Sequence, residues 1–118
     1  MSEERVLIYG SRVWGDHVLI RAFVEGLPAD TVVITGGAAG ADHIAHMAAR
    51  HRGLATKVYP ADWKKHGKGA GPIRNQQMID EGRPTRAHGF RVGGQSRGTD
   101  DMTRRLEAAG IPHEVTIR

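Results

Sequence analysis

The chain has 118 residues, with 17 Lys or Arg against 13 Asp or Glu, 16 Gly and no Cys. This length predicts one domain over residues 1–118, and the lack of Cys excludes disulfides and cysteine-metal scaffolds. No run approaches the roughly 18 apolar residues of a membrane helix, and the polar N-terminal residues do not resemble a signal peptide, so we expect a cytoplasmic protein. The net charge is +4, and 13 of the 17 basic residues are Arg, a residue that binds carboxylates and phosphates well. The charge is consistent with binding of a nucleotide, with binding of nucleic acid, or with solubility alone.

Short β-rich runs alternate with segments of helical periodicity along the whole chain. Predicted strands cover residues 6–9, 31–35, 56–59, 86–92 and 114–117. Predicted helices lie between Asp16 and Gly26 and over residues 41–52, 73–81 and 99–109. In the third of these helices, Ile73, Met78 and Ile79 are expected to face inward. The order predicts the α/β class, as a single Rossmann-like domain with a five-stranded parallel sheet and helices on both faces.

Glycine clusters follow the first, second and fourth predicted strands. The carboxyl ends of parallel strands open onto one edge of the sheet, and ligands bind there at the point where the strand order reverses. Glycine allows the backbone to approach a ligand closely, and the N–H groups that begin a helix attract phosphate. The three loops therefore predict one shared anion-binding site.

The loop after the second predicted strand supplies the candidate nucleotide-binding residues Gly36, Gly37, Gly40 and Asp42. Thr35 stands where the dinucleotide fingerprint G-x-G-x-x-G has its first glycine, which argues against a conventional NAD site. No cofactor is predicted. A tight strand-to-helix turn, with Asp42 stabilising the helix dipole, explains this loop equally well.

The loop after the fourth predicted strand, residues 93–101, supplies the further candidates Gly94, Arg97, Gly98 and Thr99. Arg97 adds a guanidinium and Thr99 a hydroxyl, and both groups suit a phosphate. Asp100 and Asp101 follow them. Taken alone, two carboxylates at a helix start are typical of caps and dipole partners.

The end of the first predicted strand supplies Gly10, Ser11 and Arg12. Arg12 is expected to project over the ligand edge. Trp14, two residues on, either stacks on a base or covers the end of the sheet by packing.

A basic segment over residues 64–72 contains the candidate Lys68, and Arg74 and Asn75 begin the helix that follows. The segment departs from the P-loop pattern G-x-x-x-x-G-K-[S/T]. A mobile lid that reaches a phosphate and a solvated run of charges are both consistent with it. The seven His form no metal-ligand spacing, so no metal site is predicted.

Taken together, these motifs occur in an order that resembles a known family. They are Gly10-Ser11-Arg12 with Trp14 and Asp16, residues 34–42, Tyr59-Pro60-Ala61-Asp62-Trp63, residues 67–75 with Met78 and Ile79, and residues 96–102. The ordered set is similar to the small YspA-type, YpsA-related families of the SLOG superfamily, which are common in bacteria and their phages. The resemblance implies a Rossmann-like fold that binds a nucleotide or nucleotide-derived ligand at the glycine loops.

Two of the motifs also resemble the cytokinin-activating phosphoribohydrolases of the same superfamily. Arg74-Asn75-x-x-Met78 is similar to their Arg-Lys-x-x-Met. Residues 93–101 are similar to their Pro-Gly-Gly-x-Gly-Thr-x-x-Glu, with two extra residues before Gly98 and one fewer after Thr99, so that Asp101 lies near the position of the Glu. This resemblance implies hydrolysis of the N-glycosidic bond of a nucleoside monophosphate, in which Asp101 stabilises the ribose cation or activates water and Arg74 clamps the phosphate or orients that carboxylate. It also implies a homodimer.

Two further function classes stay open. The same pocket can serve a sensor or sequestering protein that recognises a nucleotide-derived signal without turnover. Single-stranded nucleic-acid binding agrees with the basic charge and with a DNA-processing branch of the superfamily. We disfavour it, since two Trp, two Tyr and two Phe offer few stacking platforms.

Overall fold

The computed structural model describes residues 3–94 and 96–118, so Gln95, inside the predicted loop 93–101, lies outside the described residues. The strands are β1 (Arg5–Gly10), β2 (Val32–Thr35), β3 (Ala55–Val58), β4 (Arg86–Arg91) and β5 (His113–Ile117). The helices are α1 (His17–Glu25), α2 (Ala41–Arg52), α3 (Trp63–His66), α4 (Ala70–Asp80) and α5 (Arg97–Ala109), with one 3₁₀ turn (Gly67–Gly69) between α3 and α4.

The five strands form one parallel sheet in the order β3-β2-β1-β4-β5. Leu7 at the centre of β1 pairs with Ile34 on one side and with Ala87 on the other. The chain builds outward from β1 to β3 and then returns to the other side of β1, so the strand order reverses between β1 and β4. A crevice at the carboxyl ends of these two strands is where a sheet of this kind binds its ligand.

Alternate residues of β1 enter two separate cores, because successive side chains of a strand point to opposite faces. Val6 and Ile8 pack with buried residues of α1 and α2. Leu7 and Tyr9 pack with buried residues of α4 and α5. The predicted α/β fold, a Rossmann-like parallel sheet of five strands with helices on both faces, is confirmed.

Three details differ from the prediction. α3 and the 3₁₀ turn occupy residues 63–69, part of which was expected to be a flexible basic loop. α4 begins at Ala70, so Pro72 is its third residue, where its missing N–H costs no intrahelical bond. Ile73 was wrongly expected to face inward, since it is 49% exposed. At 100° per residue it lies about 140° around the helix from Met78, which is buried.

Every helix within residues 3–94 and 96–118 is too short or too polar to span a membrane.

At Gly10, β1 lies close to both β4 and α2. A Cβ atom on Gly10 would overlap the carbonyl oxygen of Phe90 and lie 2.7 Å from Cβ of Ala41. We therefore expect Gly10→Ala to destabilise the fold by roughly 1–3 kcal/mol, the usual effect of overpacking. Gly15→Ala is the matched control, because a Cβ there meets nothing within 4 Å. Urea unfolding of both variants measures the effect, and equal stability of the two would contradict this account of Gly10.

Candidate functional site

A cavity of about 480 Å³ opens where β1 ends, between α3 and the first turns of α4 and α5. Eleven of the residues predicted for the site line it: Gly10, Ser11, Arg12, Asp42, Lys68, Arg74, Asn75, Arg97, Gly98, Thr99 and Asp101. They come from five separate segments of the chain. The structure thus brings most of the predicted residues together at the expected edge of the sheet.

Five predicted residues are not among those that line the cavity: Trp14, Gly36, Gly37, Gly40 and Gly94. Trp14 is 3% exposed, packs edge-on against Phe90 and donates its indole N–H to the carbonyl of Asp16 at 2.8 Å. Of the two roles considered for Trp14, packing is the one that the structure gives it. The carbonyl of Gly94 accepts a hydrogen bond from Nη2 of Arg91 at 2.8 Å, at an exposed position.

The loop between β2 and α2, residues 36–40, is called the first glycine loop here, and side chains of the protein itself fill it. Oδ2 of Asp42 accepts hydrogen bonds from the backbone N–H of Gly36 at 3.1 Å and of Ala38 at 3.4 Å. A Cβ on Gly36 would lie 2.8 Å from that same oxygen, and a Cβ on Gly40 would overlap the backbone of Ser11 and Arg12. These glycines are needed for close packing within the chain, and an internal carboxylate occupies the N–H groups that were expected to hold a phosphate.

Burial raises the pKa of the Asp42 carboxyl from its usual 3.8 to about 6, although the charge of Arg74 and the two loop N–H groups oppose the shift. Arg74 is itself buried, and burial lowers the pKa of its guanidinium. Its Nη1 donates to the carbonyl of Gly36, and its Nε donates to Oδ1 of Asn75 at 3.1 Å. Arg74 therefore joins the first glycine loop to α4.

Asn75 continues this connection to α5. Because its Oδ1 is held by Arg74, its Nδ2 is directed toward α5, where it donates to Oδ2 of Asp101 at 3.0 Å and to the carbonyl of Gly98 at 3.2 Å. Nε of Arg105 donates to the same Asp101 oxygen at 2.8 Å. Burial by itself would raise the pKa of Asp101, but the hydrogen bonds from Arg105 and Asn75 outweigh it, so the pKa is lowered and the carboxylate is ionised at neutral pH.

Sequence reasoning missed Arg105. The signal was available, because Asp101 and Arg105 have the i, i+4 spacing that places two side chains on one helix face.

The two hydroxyls expected at the site are engaged within the protein. Oγ of Ser11 lies 2.7 Å from Oγ of Ser96 and accepts the N–H of Val92 at 2.9 Å. Oγ of Ser96 also donates to Oγ1 of Thr99 at 2.8 Å. Ser11 and Thr99 are both buried. They hold the end of β1 against the start of α5, the helix that begins at Arg97.

Asp100 and Asp101 have different surroundings although they are neighbours in the chain. Asp100 forms two hydrogen bonds with Arg91, at 2.8 and 3.0 Å, and is not among the residues that line the cavity. Only Asp101 of the pair lines the cavity.

The cavity is positively charged. Arg12, Lys68, Arg74 and Arg97 line it together with Asp42 and Asp101, which gives 4 − 2 = +2 when both carboxylates are ionised. Arg12, Lys68 and Arg97 are exposed, in contrast to the buried Arg74. The three exposed cationic side chains therefore stand at the mouth of the cavity.

The apolar part of the lining was not predicted. It includes Tyr9, Val13, Trp63, Pro72, Met78 and Met102. Trp63 is 48% exposed and begins α3, a helix of only four residues. Such a short helix has no periodicity by which the sequence could reveal it.

No group of three or more His, Cys, Asp or Glu within the described residues is placed to hold a metal ion.

This geometry defines a Rossmann-like α/β protein, with its cavity where the strand order of the parallel sheet reverses between β1 and β4. A sequence model of the YspA, cpYpsA-related SLOG family matches residues 4–66, just over half of the chain. The chain is 41% identical over 117 residues to the Gene 61 protein of Mycobacterium phage D29, covering 92% of each chain. The protein belongs to the YspA, cpYpsA-related SLOG family.

The fold is also similar to the X-ray structure of DNA processing protein A (DprA) from Streptococcus pneumoniae, with a TM-score of 0.62 and 18% sequence identity. The match covers 95% of this chain and 58% of the DprA chain. At this identity the similarity concerns the fold.

The raised pKa of Asp42 predicts a pH dependence of stability. Because its pKa is about 6 in the fold against 3.8 when exposed, the folded state holds this proton more strongly than the unfolded state, so the carboxyl contributes less stability as pH rises. We expect the wild type to lose roughly 1–1.5 kcal/mol relative to Asp42→Asn between pH 5 and pH 7.5. Urea unfolding of both proteins at the two pH values measures this difference. A difference that stays constant would show that Asp42 titrates normally.

Proposed function

We propose that the protein binds a nucleotide or nucleotide-derived ligand in this cavity and holds it by its phosphate. The observation that carries the proposal is the net charge of +2 on a cavity of about 480 Å³ that has an apolar wall. A phosphate monoester carries a charge of about −1.5 to −2 at neutral pH, and the apolar wall suits a base and a sugar.

The start of α5 is the best place for the phosphate. The first glycine loop offers its N–H groups to Asp42, so it is already occupied by an anion. In contrast, Ser96 makes no side-chain hydrogen bond to the backbone N–H groups that begin α5. The partial positive charge of this helix end adds to that of Arg97 beside it.

Removing the Arg97 guanidinium is expected to weaken the phosphate contact specifically. Arg97→Ala should lower affinity for nucleoside 5′-monophosphates by roughly 1.5–3 kcal/mol, the usual contribution of a hydrogen bond to a charged group. Affinity for the matching nucleosides, which lack the phosphate, should not change. Isothermal titration of both ligand sets measures the two effects.

Arg21→Ala is the control, because it removes the same charge from a separate groove between α1 and α2. Equal loss of affinity in the two variants would indicate a general effect of charge. Salt-dependent binding of single-stranded DNA, with no binding of mononucleotides, would favour the nucleic-acid alternative.

Asp101 supports a second proposal, that the ligand is hydrolysed at its N-glycosidic bond. Hydrogen bonds to Asn75 and Arg105 keep this carboxylate ionised and fix its orientation toward the cavity. An ionised carboxylate can stabilise a ribose cation or accept the proton of an attacking water. Water then bonds to C1′ of the ribose, the bond to the base breaks, and the base leaves with a proton. In this proposal Arg74 is a positioning residue, because it orients Asp101 through Asn75.

Asp101→Asn is expected to reduce release of free base from a nucleoside monophosphate by roughly 100-fold or more, because the amide keeps the shape of the side chain and loses its charge. Asp100→Asn is the matched control, since Asp100 pairs with Arg91 outside the cavity. Chromatography of free base measures the rate in both variants. If wild-type protein binds the nucleotides and returns all of them intact, the protein is a sensor or sequestering protein and has no hydrolase activity.

A further inference from the structure

Trp63 and Arg12 form a pair at the mouth of the cavity. Cζ of the Arg12 guanidinium lies over the Trp63 indole, 5.2 Å from the ring centroid, and both residues line the cavity. Nearly half of the Trp63 side chain is exposed, whereas Trp14 is buried in the core. The packing that explains Trp14 therefore does not explain the position of Trp63.

Two features of the chain place Trp63 at the cavity. Asp62 caps α3, with its Oδ1 accepting the N–H of Lys65 at 3.1 Å, so the backbone that carries Trp63 is held in place. The edge of the indole lies beside the first turn of α4, since a Cβ added to Gly71 would come within 3.6 Å of Cη2 of Trp63. This arrangement supports one edge of the ring and presents a face of it toward Arg12.

We propose that the space over the Trp63 indole, which the Arg12 side chain occupies in this structure, is the subsite for the planar base of the ligand. This inference rests on the proposed function. It adds a site for the base, which a contact to the phosphate does not recognise. A guanidinium and a nucleobase are both flat groups that stack on an indole. A base can therefore replace Arg12 over the ring, and the exposed guanidinium is then released toward the phosphate, which is a stronger partner.

The subsite predicts a particular selectivity. Every base has a π face, so stacking on an aromatic ring tolerates any of them. The protein should therefore prefer nucleotides over sugar phosphates and discriminate little among purines and pyrimidines. This preference distinguishes the subsite from a site that recognises the phosphate alone.

Tryptophan fluorescence tests the inference directly, because the chain has only two Trp. In a Trp14→Phe, Asp101→Asn background, Trp63 is the sole reporter and the ligand stays intact. We expect adenosine 5′-monophosphate to quench this fluorescence saturably and ribose 5-phosphate to bind about 10-fold or more weakly without quenching. In the same background, with binding measured by calorimetry, Trp63→Ala should lose about 10-fold or more in affinity for adenosine 5′-monophosphate, and Trp63→Phe, which keeps a ring, should recover most of it.

The outcomes separate this inference from the proposed function. If adenosine 5′-monophosphate and ribose 5-phosphate bind equally well, and Trp63→Ala changes neither affinity, the phosphate site stands and the base subsite is overturned. If neither compound binds and other nucleoside monophosphates also fail, both proposals are overturned. Thermal unfolding of Trp63→Ala serves as the folding control, and an unchanged midpoint assigns its loss of affinity to the missing ring.

Discussion

The geometry of the site depends on the hydrogen bonds that the buried Arg74 guanidinium donates. It donates to the carbonyl of Gly36 at the end of β2 and to that of Tyr59, at 3.5 Å, beyond β3. A buried guanidinium is costly unless its donors are satisfied and a counter-charge is near. Asp42 supplies the opposite charge. Burial raises the pKa of the Asp42 carboxyl and lowers that of the Arg74 guanidinium, and the attraction between the two groups offsets part of both shifts.

Arg74 and Asp42 determine how the charged groups of the cavity divide into an inner, hydrogen-bonded set and an outer, exposed set. On the inner side, Asp42 satisfies the N–H groups of the first glycine loop, and Arg74 and Asn75 extend the network to Asp101 on α5. Asp42, Arg74, Asn75 and Asp101 all form hydrogen bonds within the chain there. On the outer side, exposed Arg12, Lys68 and Arg97 surround the opening. The inner network holds the Asp101 carboxylate in place, whereas the outer cations are exposed at the opening.

The fold could be predicted well because its signals are local. Each strand is a short β-rich run and each long helix has an apolar stripe, so the five strands and four of the helices follow from periodicity and from their caps and glycines. α3 could not be found in this way, because four residues make barely one turn. Ile73 was misplaced for a related reason. Its apolar character suggested burial, but the face of α4 that packs inward contains Asn75, Met78 and Ile79.

For the site, the sequence by itself determined that eleven of the cavity-lining residues gather at one sheet edge, because parallel strands place their carboxyl ends and following loops together. It also contained the ordered motifs that identify the family. Only the tertiary structure decided what those residues do: Asp42 fills the first glycine loop, Trp14 enters the core, Trp63 faces the cavity, and Asp101 differs from Asp100 in its partners. The physical reason is that burial, charge and hydrogen bonding depend on neighbours distant in the chain, such as Arg74 and Gly36, which are 38 residues apart.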